Sequence, residues 1–137
     1  FGVGIELEGL VPKSLYGNTI YQDPIEVSNY YANHLKNDLN CDLVICLSHL
    51  GFKYKTNKIS DIVLASKTRK IDLIIGGHTH TFLKKPVDVK NLDGDTVQIS
   101  QVGFGGINLG RIDYIFNKKR SIRIIKNNVI AIKNKKK

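Results

Sequence analysis

The sequence contains no methionine and opens on Phe1, so the expectation is that residues precede it and that it is not a complete reading frame. No apolar run approaches the roughly 18 residues a membrane span needs, and no signal-peptide pattern is visible. Cysteine is scarce: Cys41 and Cys46 stand alone. Along an extended strand their Cα atoms would lie roughly 16 Å apart, against a disulfide limit of about 7 Å, so they cannot bridge each other. There is no CxxC metal pair either. Both read as small buried hydrophobes, and the redox compartment stays open. A GxGxxG fingerprint is also lacking. Gly103-Phe104-Gly105-Gly106 follows a strand pattern, but no helix pattern succeeds it, which favours tight packing at a strand crossing over phosphate binding.

What is present describes one domain with a real core. The chain has 137 residues, 42% hydrophobic and 24% charged, the proportions of a soluble globular protein. The formal net charge is +9, which suits anionic substrates, loose nucleic-acid binding or simple solubility. Much of it is local. Residues 133–137 form a lysine-rich stretch expected to be a basic disordered tail, leaving residues 1–132 as the domain. Lys118, Lys119, Arg120 and Arg123 make a second cluster near a turn. A nucleic-acid surface would interleave basic residues with aromatics on one face, and this sequence does not, so no nucleic-acid partner is expected.

The stretch that organises the chain is Ile71-Asp72-Leu73-Ile74-Ile75-Gly76-Gly77-His78-Thr79-His80. Leu73 to Ile75 reads as a fully buried strand of a parallel sheet, covered on both faces. Two glycines follow, removing side-chain bulk where the chain leaves the sheet. If the chain stays extended, His78 and His80 point to one side with Cα atoms roughly 6.5–7 Å apart, a spacing suited to one metal or a close pair. Cys41-Asp42-Leu43-Val44-Ile45-Cys46-Leu47-Ser48-His49 repeats the plan, again ending in a histidine. Three of the four histidines therefore follow predicted buried strands. Open α/β sheets bind ligands outside the carboxyl ends of their strands, so the placement suits a site. Ordinary loop histidines bonded to backbone are the bland alternative, and three matching positions weigh against it.

Taken in order, Phe1 to Ile5 reads as the end of a strand and residues 6–22 as a loop. Asp23-Pro24-Ile25-Glu26 is a helix start: a capping side chain, a proline at the first helical position and a capping-box glutamate. Val27, Tyr31, Leu35 and Leu39 then recur at helical spacing as its apolar stripe. His34, inside this helix, is expected to be structural or merely at the surface. A second helix is expected over residues 59–69, giving strand, helix, strand, helix, strand: a parallel α/β unit. Beyond His80 the pattern alternates. Strands are expected at Val87 to Lys90, Thr96 to Val102, Arg111 to Phe116, Ile122 to Ile125 and Val129 to Ile132, forming an antiparallel meander.

Ser48-His49-Leu50-Gly51, Gly76-Gly77-His78-Thr79-His80 and Leu109-Gly110-Arg111-Ile112-Asp113 together resemble the carboxyl half of the calcineurin-like metallophosphoesterase domain. Within it they look like the 5'-nucleotidase and 2',3'-cyclic phosphodiesterase branch, a likeness spanning nearly the whole chain. The resemblance implies half of a four-layer αββα fold and two divalent transition-metal ions of the Zn, Mn or Fe class. It implies His49 and His78 as ligands of one ion and His80 as a ligand of the other. The remaining ligands and the catalytic histidine come, in that family, from an upstream Asp-x-His, a bridging Asp and an Asn-His-Asp/Glu motif. None is found here; Asn33-His34 is followed by Leu35 and lies in a predicted helix. No catalytic residue is therefore assigned within this segment, which alone should be inactive. Its expected partners are a nucleotide substrate and the amino-terminal half of the same domain.

The reaction implied is hydrolysis of nucleoside 5'-monophosphates, with a periplasmic or secreted location. Alternatives are a phosphodiesterase on cyclic nucleotides, a non-catalytic metal- or nucleotide-binding module, or a mononuclear hydrolase using the three histidines alone.

Overall fold

The computed structural model describes residues 1–117 and 122–132, with side chains described for 1–117 and 128–132. The expected basic tail at 133–137 and most of the cluster at Lys118, Lys119, Arg120 and Arg123 lie outside what is described.

A five-stranded sheet is built from β1 (Gly2–Val3), β2 (Ile45–Ser48), β3 (Leu73–Ile75), β4 (Val87–Lys90) and β5 (Thr96–Ser100) in the order β1-β2-β3-β5-β4. β1, β2, β3 and β5 run parallel to one another, and β4 pairs antiparallel with β5. The helices are α1 (Lys13–Tyr16), α2 (Pro24–Asn33), continued by a π-helical turn at His34–Asp38, and α3 (Asp61–Lys67). A separate antiparallel pair comprises β6 (Asn108–Phe116) and β7 (Ile122–Ala131), with a bulge at Asp113/Tyr114. The chain is thus mixed α/β, a parallel unit followed by antiparallel strands. The expected meander is corrected in one respect: β5 leaves its hairpin to lie parallel beside β3. The two short strands expected after the turn at residue 117 are one continuous strand, β7.

The helix starts follow their capping residues. Asp23 Oδ1 accepts from the backbone N–H of Ile25 at 2.7 Å and of Glu26 at 3.1 Å. Ser60 Oγ accepts from Val63 N–H at 3.4 Å and sets the start of α3, which ends at Lys67 before the extended Thr68 and so is shorter at both ends than the periodicity suggests. The buried face of α2 is Pro24, Ser28 and Ala32, rather than the stripe expected from Val27, Tyr31 and Leu39. Tyr31 and Leu39 are 46% and 57% exposed; of that stripe, Leu35 packs on the core. Small side chains at i and i+4 let the helix sit close to its neighbours. His34 stays apart from the other histidines, its Nδ1 2.7 Å from Asp38 Oδ2 on the protein surface.

The core lies between the sheet and helices α2 and α3: Ala32, Val44, Cys46, Leu50, Leu64, Ala65, Ile71, Ile74, Val97 and Ile99 are buried together. Full burial of each large aliphatic side chain contributes roughly 1.5–3 kcal/mol. The opposite face of the sheet differs from the expectation of strands buried on both sides. Leu47 is 58% and Ile75 43% exposed there. Side chains alternate along a strand, so one face can be sealed by helices while the other stays open. Part of that face meets β6 across a groove lined by Ile45, Leu73, Leu109, Ile112 and Tyr114.

Candidate functional site

The parallel strands β2 and β3 end side by side, with Leu47 opposite Ile75. Their continuations, Ser48-His49 and Gly76-Gly77-His78, therefore leave the sheet as neighbours. The imidazoles of His49 and His78 meet edge to face, ring centroids 5.1 Å apart and planes at 69°. Gly77 makes this approach possible, because a Cβ there would sit 3.1 Å from His49 Nδ1. Burial, then the neighbouring His49, Lys58 and His80, lower the pKa of His78 and favour its neutral form. A neutral imidazole is the form that binds metals.

His80 is the third sequence-predicted ligand. Its ring stacks on Phe104 at 5.1 Å, and Phe104 in turn contacts Phe82 edge to face at 5.8 Å. The expected extended His-x-His is not what forms. His78 has φ +65° and His80 φ +52°, both left-handed, and Thr79 N–H donates to Gly77 O at 2.8 Å. The segment is a tight turn held in a region that side-chain-bearing residues rarely visit, at a cost of about 1–3 kcal/mol each. Among the described residues no group of three His, Cys, Asp or Glu side chains stands close enough to hold a metal ion. What stands together here is a pair of adjacent imidazoles, His49 and His78.

Three residues that sequence reasoning passed over support this site. Asp61, fully buried at the start of α3, accepts the Ser48 hydroxyl at 2.5 Å. Its other oxygen, Oδ2, is buried without a hydrogen-bond partner and lies against Gly76, where a Cβ would collide with it. Burial raises the Asp61 pKa to about 6, opposed by the Ser48 hydrogen bond. Gln101, at the end of β5, donates from Nε2 to Gly77 O at 2.5 Å and accepts from Thr81 N–H at Oε1. Thr79 Oγ1 accepts from Phe52 N–H at 2.9 Å, tying the loop after His49 to the histidine turn. Gly51, at φ +93°, leaves room for Tyr54 and Thr79, and the Tyr54 hydroxyl donates to Leu50 O at 2.7 Å. An acid in the first turn of a helix reads as a dipole or capping residue, so nothing marked Asp61 as buried.

Comparison with known proteins shows the family of the chain. No family model matches the chain. It is 32% identical over 130 residues to the trifunctional nucleotide phosphoesterase protein YfkN of Bacillus subtilis (strain 168), covering 94% of the chain and 8% of that protein. It is 30% identical over 118 residues to the 5'-nucleotidase of Rattus norvegicus, covering 77% of the chain and 19% of that protein. The crystal structure of a 5'-nucleotidase precursor from Thermus thermophilus superposes with a TM-score of 0.71 at 26% identity, over 85% of the chain and 24% of that structure.

This segment belongs to the 5'-nucleotidase family of metallophosphoesterases. The fold alone is shared with the NAD nucleotidase of Haemophilus influenzae, at a TM-score of 0.65 and 20% identity over 85% of the chain and 26% of that structure. The chain spans between 8% and 26% of the length of these relatives. Among the described residues no helix is long and apolar enough to cross a membrane.

Proposed function

We propose that this chain is part of a metal-dependent phosphoester hydrolase that acts on nucleoside 5'-monophosphates. The observation that supports it most is the meeting of His49 and His78, 5.1 Å apart, beyond the carboxyl ends of adjacent parallel strands. In this reading His49 and His78 are nitrogen donors to one divalent transition-metal ion and His80 to a second. The donors that complete both ions, and the catalytic histidine, come from another part of the same domain outside this sequence. When bound, such a pair supplies positive charge to the phosphoryl oxygens and acidifies water. The contribution of this chain is placement. Gly76 and Gly77 allow the turn to approach β2, and the Ser48–Asp61 pair fixes the β2 exit under His49.

The nucleotide as substrate rests on the relatives, which are named as nucleotide phosphoesterases and 5'-nucleotidases. An exported location is proposed on similar ground, since other relatives are snake venom 5'-nucleotidases. The test is the full-length protein with manganese or zinc on a panel of nucleotides, cyclic nucleotides and non-nucleotide phosphates, beside His78→Ala. Metal-dependent release of phosphate from 5'-monophosphates, lost in the variant, is the expected result. Activity indifferent to His78→Ala would overturn the metal assignment, and activity confined to non-nucleotide phosphates would overturn the substrate.

A further inference from the structure

Two left-handed residues in one turn need something to hold them, and their own side chains do not do it. His78 lies against His49, and His80 stacks on Phe104. The turn is bracketed instead by a single side chain from another strand. Gln101 is 2% exposed, with its amide aligned across the base of the turn. Its Nε2 donates to the carbonyl of Gly77, just before His78, at 2.5 Å. Its Oε1 accepts the N–H of Thr81, just after His80, and also the Thr79 hydroxyl at 3.2 Å. The backbone of Gln101 joins in, its carbonyl accepting Leu83 N–H at 3.0 Å. An amide is the side chain this geometry calls for, because it offers a donor and an acceptor on one plane.

We propose that Gln101 is a positioning residue that clamps the His78-Thr79-His80 turn and fixes both imidazoles for metal binding. The metal part of this rests on the functional reading above; the clamp itself does not. A carboxylate in its place would keep an acceptor for Thr81 N–H but turn an oxygen on the Gly77 carbonyl. An apolar residue would leave Thr81 N–H without its acceptor and Gly77 O with Thr79 N–H alone. Partners of this kind, acting behind a ligand, typically change metal affinity about 10- to 100-fold when removed.

The test compares wild type, Gln101→Glu and Gln101→Ala in the full-length protein. Hydrogen exchange is read by mass spectrometry in peptides covering 77–83 and in control peptides covering β2 and β3, and manganese affinity by calorimetry. In Gln101→Ala, exchange across 77–83 should accelerate at least about 10-fold while the β2 and β3 peptides keep their protection, with manganese bound about 10- to 100-fold more weakly. In Gln101→Glu the Thr81 acceptor survives, so exchange should be intermediate. Unchanged exchange in 77–83, or acceleration spread evenly over the sheet, overturns the clamp. Should Gln101→Ala fail to fold, Gln101→Glu decides alone by the same comparison. Wild-type protein that binds no manganese overturns the metal reading, and the exchange data then judge the clamp by themselves.

Discussion

The hydroxyl of Ser48 donates to Asp61 Oδ1 at 2.5 Å, joining the end of β2 to the start of α3 in the interior. The same Ser48 oxygen accepts Leu50 N–H at 3.2 Å, so the backbone on either side of His49 is anchored to a buried acid. The second carboxyl oxygen is left without a partner beside Gly76. A group placed this way keeps its proton to a higher pH than an exposed aspartate does.

A pH dependence follows. The Asp61 pKa is raised from 3.8 to about 6, so the folded state binds the proton more tightly than the unfolded chain. The associated stability is full below about pH 4 and is lost as pH rises through about 6. At about 1.4 kcal/mol per unit, wild type should lose on the order of 2–3 kcal/mol relative to Asp61→Asn between pH 4 and 7. Asn keeps an acceptor for Ser48 and cannot ionise. Urea unfolding of both proteins across this range checks it, and parallel pH profiles would refute it.

Gly76 is fixed by the same acid. A Cβ there collides with Asp61 Oδ2, and the Gly76 N–H already donates to Ser100 O at 2.8 Å, leaving the backbone little room to retreat. Gly76→Ala should therefore cost about 1–3 kcal/mol as an overpacking substitution. Gly77→Ala meets His49 Nδ1 at 3.1 Å, a contact that a side-chain rotation relieves, and should cost less. Denaturant midpoints rank the two, and equal midpoints would show that Asp61 yields as easily as His49.

Much of this is legible in the sequence because it rests on local chemistry. The aliphatic runs ending at Ser48 and Ile75 give parallel strands, and Asp23-Pro24 gives a helix start with the expected bonds. Counting alone puts three histidines beyond strand ends. What could not be read depends on contacts between distant residues. The inward face of α2 is set by what Ser28 and Ala32 can pack against, and a periodicity of larger residues pointed one position away. The left-handed turn at His78 and His80 has no glycine at either position to announce it. Gln101 and Asp61 look like an ordinary strand end and helix start, and only the fold brings them behind the histidines.

The Asp23 cap offers a check on the fold away from the site. Its side chain satisfies two N–H groups at the start of α2, at 2.7 and 3.1 Å. Asp23→Ala should destabilise by about 0.5–2 kcal/mol, and Asp23→Asn or Asp23→Ser should recover most of it. Thermal melts of the three variants test this. Equal loss in all three would mean that the negative charge, and not the hydrogen bonds, matters at this position.

Residues 1–137 by themselves should show little phosphoester hydrolysis. The described residues gather two imidazoles at His49 and His78, and no group of three metal-binding side chains. A metal pair needs more donors than that to fix its geometry and to hold charge against a phosphoryl group. Members of a catalytic unit act together, so half a unit does not retain half the rate. Weak zinc binding by this chain remains expected, since two neighbouring imidazoles can share an ion with water. Binding should be lost in His49→Ala and in His78→Ala, while His34→Ala, whose ring pairs with Asp38 on the surface, should leave it unchanged. The measurements are zinc titration calorimetry of the four proteins and a colorimetric assay on an aryl phosphate. Turnover by the chain alone at the rate of the full-length protein would show that the visible residues form a complete centre. Zinc binding that survives both substitutions would place the site elsewhere.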